Sequence, residues 1–325
     1  MPFRRSSLPA NVTYQSQQSW RDIQKFLPER LHLTEDESPE EELWEHEGFK
    51  LHLDRWRNPA SKIRLIMHHG VGTNGRQMSM ILGRPLHAAG FELVAIDMPG
   101  YGCSEVPAGK VVGYDDWVQL ANDFIDHELQ DDPRPVFLYG LSAGGMLAYH
   151  AAALNKKVKG IIGMTFLDQR IQKVADETSA NLLMSRVGRA FSKVADKTPL
   201  NNVKIPMSMA SRMSTLVNNE GALAVFMNDK SSAGSSASMH FLATYAAHQP
   251  ALEPEEFDVC PILLTQPAAD KWTPLYLSEM FLKRVTRVPV TVVELENAGH
   301  YPLEDPGLEQ MATEIIKFLK AHSPQ

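Results

Sequence analysis

The chain has 325 residues, 43% of them hydrophobic, enough to bury a large core and leave room for an inserted subdomain. Its formal net charge of -7, with acidic residues gathered between Glu35 and Glu45, leaves no basic stripe to follow a phosphate backbone and argues against nucleic acid as a partner. The two cysteines, Cys103 and Cys260, lie far apart, which argues against a disulfide framework or a zinc site and fits ordinary buried thiols.

Residues 1–40 are polar and read as an N-terminal arm packed on the main body, with one amphipathic helix predicted around Trp20 to Phe26. Behind Arg4 and Arg5, the residues Ser6 to Asn11 never build the apolar core of a secretory signal, and no later stretch is apolar for long enough to span a bilayer. A soluble, cytoplasmic protein is therefore expected, with its oligomeric state, a homodimer included, left open. From Leu43 to Trp56, Phe49, Leu51 and Leu53 alternate with Lys50, His52 and Asp54, the period of an edge hairpin with one face buried.

Four short apolar runs follow, Ile63 to Met67, Leu93 to Ile96, Val136 to Tyr139 and Ile161 to Met164, of the kind seen when both faces of a strand are covered. Between them, Tyr114 to Leu129 carries Trp117, Val118, Ala121, Phe124, Ile125 and Leu129 on one helical face, so strands alternate with helices and the sheet is parallel. From Asp168 to about Asp258 that alternation stops, and the segment becomes helix-like, Met-bearing and broken by the small-residue run Ser231 to Ser238. The expected organisation is an α/β core of residues 41–167 and 259–325 with a cap at 168–258. Two more strands are predicted at Ile262 to Leu264 and Thr291 to Leu295. A last helix carries Leu308, Met311, Ala312, Ile315, Ile316 and Leu319 as one stripe.

The strand Val136 to Tyr139 runs into Gly140-Leu141-Ser142-Ala143-Gly144-Gly145 and then into a helix opening, the context of a nucleophile elbow. There the flanking glycines let backbones approach while the serine projects above the sheet. Such a serine needs a base, and the motif predicts an acid and then a histidine further along the chain. Asp270 and His300 stand just past the ends of the last two strands, where an open α/β sheet places its site. Asp168, after the Ile161 to Met164 strand, is the rival acid.

The segment His68-His69-Gly70-Val71-Gly72-Thr73-Asn74-Gly75-Arg76 can aim a backbone amide at a tetrahedral intermediate, so the Val71 and Ala143 amides are the candidate oxyanion donors. Its glycines fit neither dinucleotide nor P-loop spacing, and no cofactor is expected. As strand neighbours, His68 and His69 point to opposite faces, which disfavours a metal site and leaves His69 to brace this loop. Asp97-Met98-Pro99-Gly100-Tyr101-Gly102 is turn chemistry and reads as loop-shaping.

On four segments the chain resembles the α/β-hydrolase superfamily and, within it, the monoglyceride lipase and lysophospholipase group of esterases: His69 to Arg76, Asp97 to Ser104, Gly140 to Gly145, and the loops of Asp270 and His300. The resemblance implies an α/β-hydrolase fold, with a mostly parallel eight-stranded sheet flanked by helices and a helical cap inserted after the sixth strand. It also implies ester hydrolysis as the commonest chemistry. Leu141 departs from the lipase group, which usually has His before the nucleophile, and no apolar stretch suited to docking on a membrane is evident in the cap. The superfamily's epoxide hydrolases and haloalkane dehalogenases use an Asp nucleophile, and Ser142 argues against both.

The expected function is a serine esterase with Ser142 as nucleophile, Asp270 and His300 as its partners, and a small-molecule ester carrying a hydrophobic acyl or aryl group as substrate. The cap offers Met184, Met207, Met209, Met213, Met227 and Met239 beside Phe226, Phe241 and Leu242 to line an apolar pocket. C–C bond hydrolysis or acyl transfer by the same residues is the alternative within enzymes, and a ligand receptor on a hydrolase scaffold the alternative outside them.

Overall fold

The computed structural model describes Leu8 and residues 12–324, so Arg4, Arg5 and most of the first eleven residues of the expected arm lie outside the described residues. The described residues hold ten strands: β1 Glu40–His46, β2 Phe49–Trp56, β3 Arg64–His68, β4 Glu92–Ile96, β5 Val136–Gly140, β6 Ile161–Gly163, β7 Lys204–Pro206, β8 Ser236–Ser238, β9 Ile262–Pro267 and β10 Val290–Leu295. Eight of them form one sheet in the order β1-β2-β4-β3-β5-β6-β9-β10, and β7 pairs with β8 in a separate ribbon. Within the eight-stranded sheet the pairings β4-β3-β5-β6-β9-β10 are all parallel and β2 alone runs against its neighbours, while the β7–β8 ribbon is antiparallel.

Strands β3, β4, β5 and β6 are buried along their whole length, the two-sided burial that their unbroken apolar runs demand. The helices Tyr114–Asp131 and Ala143–Asn155 pack on each other and flank the sheet, and the last helix, Gly307–His322, lies on β9 and β10 and sets Phe318 against Phe137 of β5. The edge strand β10 is half exposed, as befits the end of the sheet. Among the described residues no helix is long and apolar enough to cross a membrane.

Two features differ from the sequence reading. Strand β2 was expected to have one wet face, yet His52 and Asp54 are 1% and 0% exposed. The described part of the arm covers them: its helix Ser19–Gln24 buries Trp20 and Ile23, and Tyr14 sets its ring edge-on to His52 at 5.0 Å. Between β6 and β9 the expected helices are present, but the run Ser231 to Ser238, read as an interruption, ends in β8 and pairs with β7.

At the N-terminal ends of the central strands a buried ionic network pins the helix Tyr114–Asp131 to the sheet. Arg64 of β3 donates to Glu92 of β4 at 2.9 Å and lies 2.9 Å from the Glu128 carboxylate, while Arg55 of β2 grips Glu128 through both oxygens at 3.0 and 2.8 Å. Opposite these strand ends, the helix Ala143–Asn155 meets the sheet so closely that Gly145 touches the chain after β6. A Cβ on Gly145 would stand 1.9 Å from the Thr165 carbonyl oxygen, and one on Gly140 would stand 2.0 Å from that of Gly144.

Both ends carry a testable consequence. Arg64→Met takes one of two cations from each carboxylate, leaving Glu128 with Arg55 and Glu92 with Arg134, and is expected to lower the unfolding free energy by about 1–3 kcal/mol, read from urea denaturation. Gly145→Ala drives a methyl group into backbone that cannot rotate away, and its melting temperature is expected to fall by more than that of an ordinary overpacked core variant, whose cost is roughly 1–3 kcal/mol.

Candidate active site

Ser142 sits between β5 and the helix Ala143–Asn155 with φ 55° and ψ -123°, a left-handed conformation rarely taken by a residue with a side chain. Serine occupies the N-cap position but makes no side-chain cap bond, so the hydroxyl is not spent on starting the helix. The turn is held from outside: Met164 N donates to Gly140 O at 3.0 Å and Thr165 Oγ1 to Ser142 O at 3.1 Å.

The loop after β3 lies directly against this turn. A Cβ on Gly70 would be 2.8 Å from Ser142 Cβ and 3.1 Å from the Ala143 nitrogen, which brings Val71 beside Ala143. Neither the Val71 nor the Ala143 amide donates to a backbone carbonyl among the described residues. The loop's shape is fixed by His69, whose Nε2 accepts from Met98 N at 2.9 Å while Nδ1 lies 2.8 Å from Gly70 O. Accepting at Nε2 leaves the proton on Nδ1, which donates to Gly70 O. Burial holds this ring neutral, its pKa pushed down to about 4, and pushes that of His68 to about 3. His69 therefore braces the loop, as its position in the sequence suggests.

Past the end of β9, Asp270 accepts four hydrogen bonds. Its Oδ1 takes Trp272 N at 2.7 Å and Thr273 N at 2.9 Å, and its Oδ2 takes Thr273 Oγ1 at 2.7 Å and His300 Nδ1 at 2.8 Å. Burial alone would raise this carboxyl, but the charge and hydrogen bond of His300 and the bonds from Thr273 outweigh it and hold the pKa down to about 2. An ionised Asp270 fixes the proton of His300 on Nδ1 and leaves Nε2 free to accept one. Nε2 is buried and has no partner among the described residues, so no hydrogen bond joins His300 to Ser142 here. Such bonds are often loose before substrate binds.

A cavity of about 420 Å³ opens beside Ser142 and Val71, with Trp272 and Thr273 in its wall. The Trp272 ring lies 4.7 Å from that of His300, which places the histidine behind this wall. Most of the remaining lining comes from residues 178–246 and is apolar, including Met184, Met207, Met209, Met239, Phe241 and Leu242. Met213, Met227 and Phe226, also expected there, are not part of the lining; Phe226 packs on Tyr301 at 5.1 Å instead.

The rival acid Asp168 is occupied elsewhere, paired with Arg170 at 2.8 Å, which in turn grips Glu253. Cys103 and Cys260 are free and buried. Sequence reasoning missed Thr273, which touches both Asp270 and His300, the latter at 3.1 Å. The signal was present in the spacing Asp270-Lys271-Trp272-Thr273, an aspartate able to accept from amides two and three residues on.

Residues 65–312 match the family described as the alpha/beta hydrolase family. Protein phosphatase methylesterase 1 of Mus musculus is 26% identical over 104 residues, covering 32% of this chain and 27% of that protein, so the chain spans about a quarter of this relative's length. A soluble variant of monoglyceride lipase from Saccharomyces cerevisiae, in complex with a substrate analog, superposes with a TM-score of 0.72 at 17% identity over 92% of this chain and 99% of that one. The monoacylglycerol lipase of Paleococcus ferrophilus gives 0.64 at 21% identity, over 87% and 100% of the two chains. These likenesses show a shared fold. With the family match running from β3 into the last helix, this chain belongs to the alpha/beta hydrolase family.

Proposed function

We propose that the protein is a serine hydrolase that cleaves small carboxylic esters with a hydrophobic acyl or aryl group through an acyl-enzyme. The observation that carries this reading is the Asp270–His300 pair: an imidazole held by an ionised carboxylate, with an Nε2 that has no partner among the described residues and lies behind the wall of the cavity that Ser142 lines. In this reading His300 Nε2 takes the Ser142 hydroxyl proton as Oγ attacks the ester carbonyl. Asp270 stays ionised and stabilises the imidazolium, and the Val71 and Ala143 amides hold the oxyanion. The imidazolium then gives its proton to the leaving alcohol, and water activated by the same nitrogen releases the acid.

Residues 168–258 act in this reading as the cap that supplies the acyl site. Support comes from the cavity lining, and from Leu183, Phe191 and Met209, which line the cavity while remaining 66%, 56% and 58% exposed, so the mouth is apolar as well as the interior. Flexible methionines and an aromatic wall suit a hydrophobic group of variable shape.

Ser142→Ala is expected to lower kcat on a p-nitrophenyl ester by ~10⁶ and to abolish labelling by a fluorophosphonate; retained turnover in the purified variant would sink the reading. Asp270→Asn, which alters the proton placement on His300 while keeping its shape, is expected to cost ~10⁴ in kcat.

A further inference from the structure

The chain on the carboxyl side of the 70–75 loop is held by a buried polar cluster that the chemistry proposed above does not use. Gly75 N donates to Asp97 Oδ1 at 2.6 Å, and Cys103 N to Oδ2 at 2.8 Å. The next residue, Arg76, grips Asp54 through both oxygens at 2.6 and 2.8 Å and approaches Glu41 at 3.5 Å. These carboxylates therefore already have their cation.

The arm closes the cluster from outside. Tyr14 donates its hydroxyl to both oxygens of Asp97, at 2.9 and 2.8 Å, and its amide to Glu41 at 2.7 Å. Its ring and that of Trp20 stack on the Arg76 guanidinium at 4.7 and 4.9 Å. His52 bridges Glu41 at 2.8 Å and Asp97 at 3.4 Å. Residue 98, meanwhile, holds the other flank of the loop through His69 and Gly70. Residues 97 and 98 thus clamp the loop at both ends, and Asp97 owes part of its own placement to the arm.

We propose that Tyr14 is a positioning residue for the oxyanion-binding loop, acting through Asp97 on Gly75 and so on the Val71 amide. The inference rests on the reading of Val71 as an oxyanion donor. Burial lifts the Asp97 carboxyl to about 6, against the charge of His52 and the amide bonds from Cys103 and Gly75. Glu41, Asp54 and Arg76, with the neutral Cys103 thiol, complete its titratable surroundings. Burial and the Asp97 charge keep the Tyr14 hydroxyl protonated, so toward the Asp97 carboxylate it acts as the donor. Loss of this donor raises the Asp97 pKa further. A protonated Asp97 is a weaker acceptor for Gly75 N, and higher pH restores the charged form.

The test compares wild type, Ser142→Ala, Tyr14→Phe, Asp97→Asn and the Tyr14→Phe/Asp97→Asn double variant on a p-nitrophenyl ester between about pH 6 and about pH 9. Tyr14→Phe keeps the ring over Arg76 and is expected to lose roughly 10- to 100-fold in kcat at about pH 7, with KM changed by less than about twofold. That deficit should shrink toward the alkaline end, and the double variant should lose no more than Asp97→Asn alone. An active wild type matched in kcat by Tyr14→Phe at every pH, or a loss that is the same at every pH, overturns the inference. So does wild-type kcat in the isosteric Asp97→Asn, whether or not Tyr14→Phe folds. Full turnover in Ser142→Ala instead overturns the reading of the whole site, and this inference with it.

Discussion

To leave a parallel strand and enter a helix within three residues, a chain must turn against its own preference, and at Ser142 it does so at φ 55°. A conformation of this kind costs roughly 1–3 kcal/mol and persists only where neighbours over-determine it. Here the neighbours are backbone: the end of β6 through Met164 and Thr165, and the loop after β3 through Gly70. The placement of the serine beside the cavity, and of the Ala143 amide next to it, follows from that one reversal. A side chain at Gly140 or Gly145 would separate the layers that enforce it.

Charge is handled differently at the two ends of the sheet. At the N-terminal ends of the strands, Arg55 and Arg64 meet Glu92 and Glu128 in fixed bidentate and branched pairs, a purely architectural arrangement. At the other end, Asp97, Asp54, Glu41, His52 and Arg76 form a cluster next to Tyr14 of the arm, and Asp97 takes the Gly75 amide at the end of the loop beside Ser142. Buried ions offset their desolvation only when every lone pair is satisfied, so such clusters resist displacement and transmit it. One end of the sheet is an anchor, and the other is a mount.

The strands were legible because burial on both faces leaves a continuous apolar run, and β3 to β6 fall within a residue or so of the runs that announced them. The reversal at Ser142 could be anticipated from the turn chemistry at 140–145, which also predicts an acid and a histidine further along the chain, and the structure does bring Asp270 and His300 together. The burial of His52 and Asp54 was not legible, since nothing local distinguishes a polar residue facing water from one facing a folded-back arm. Tyr14 reaches Asp97 across 83 residues of sequence, beyond any local pattern. The ribbon of β7 and β8 was hidden for a related reason: three-residue strands rich in serine and proline carry no alternation to read.

Among the described residues no strand pairing joins that ribbon to the eight-stranded sheet. The cavity's wall is therefore drawn mostly from a segment whose own strands share no register with the strands that set Ser142, Asp270 and His300. Substitutions along residues 178–246 can reshape the volume beside the serine without shifting a single rung of the main ladder. The turn that carries Ser142 and the shape of the cavity beside it are in this sense set by separate ladders, so one can be altered while the other is kept.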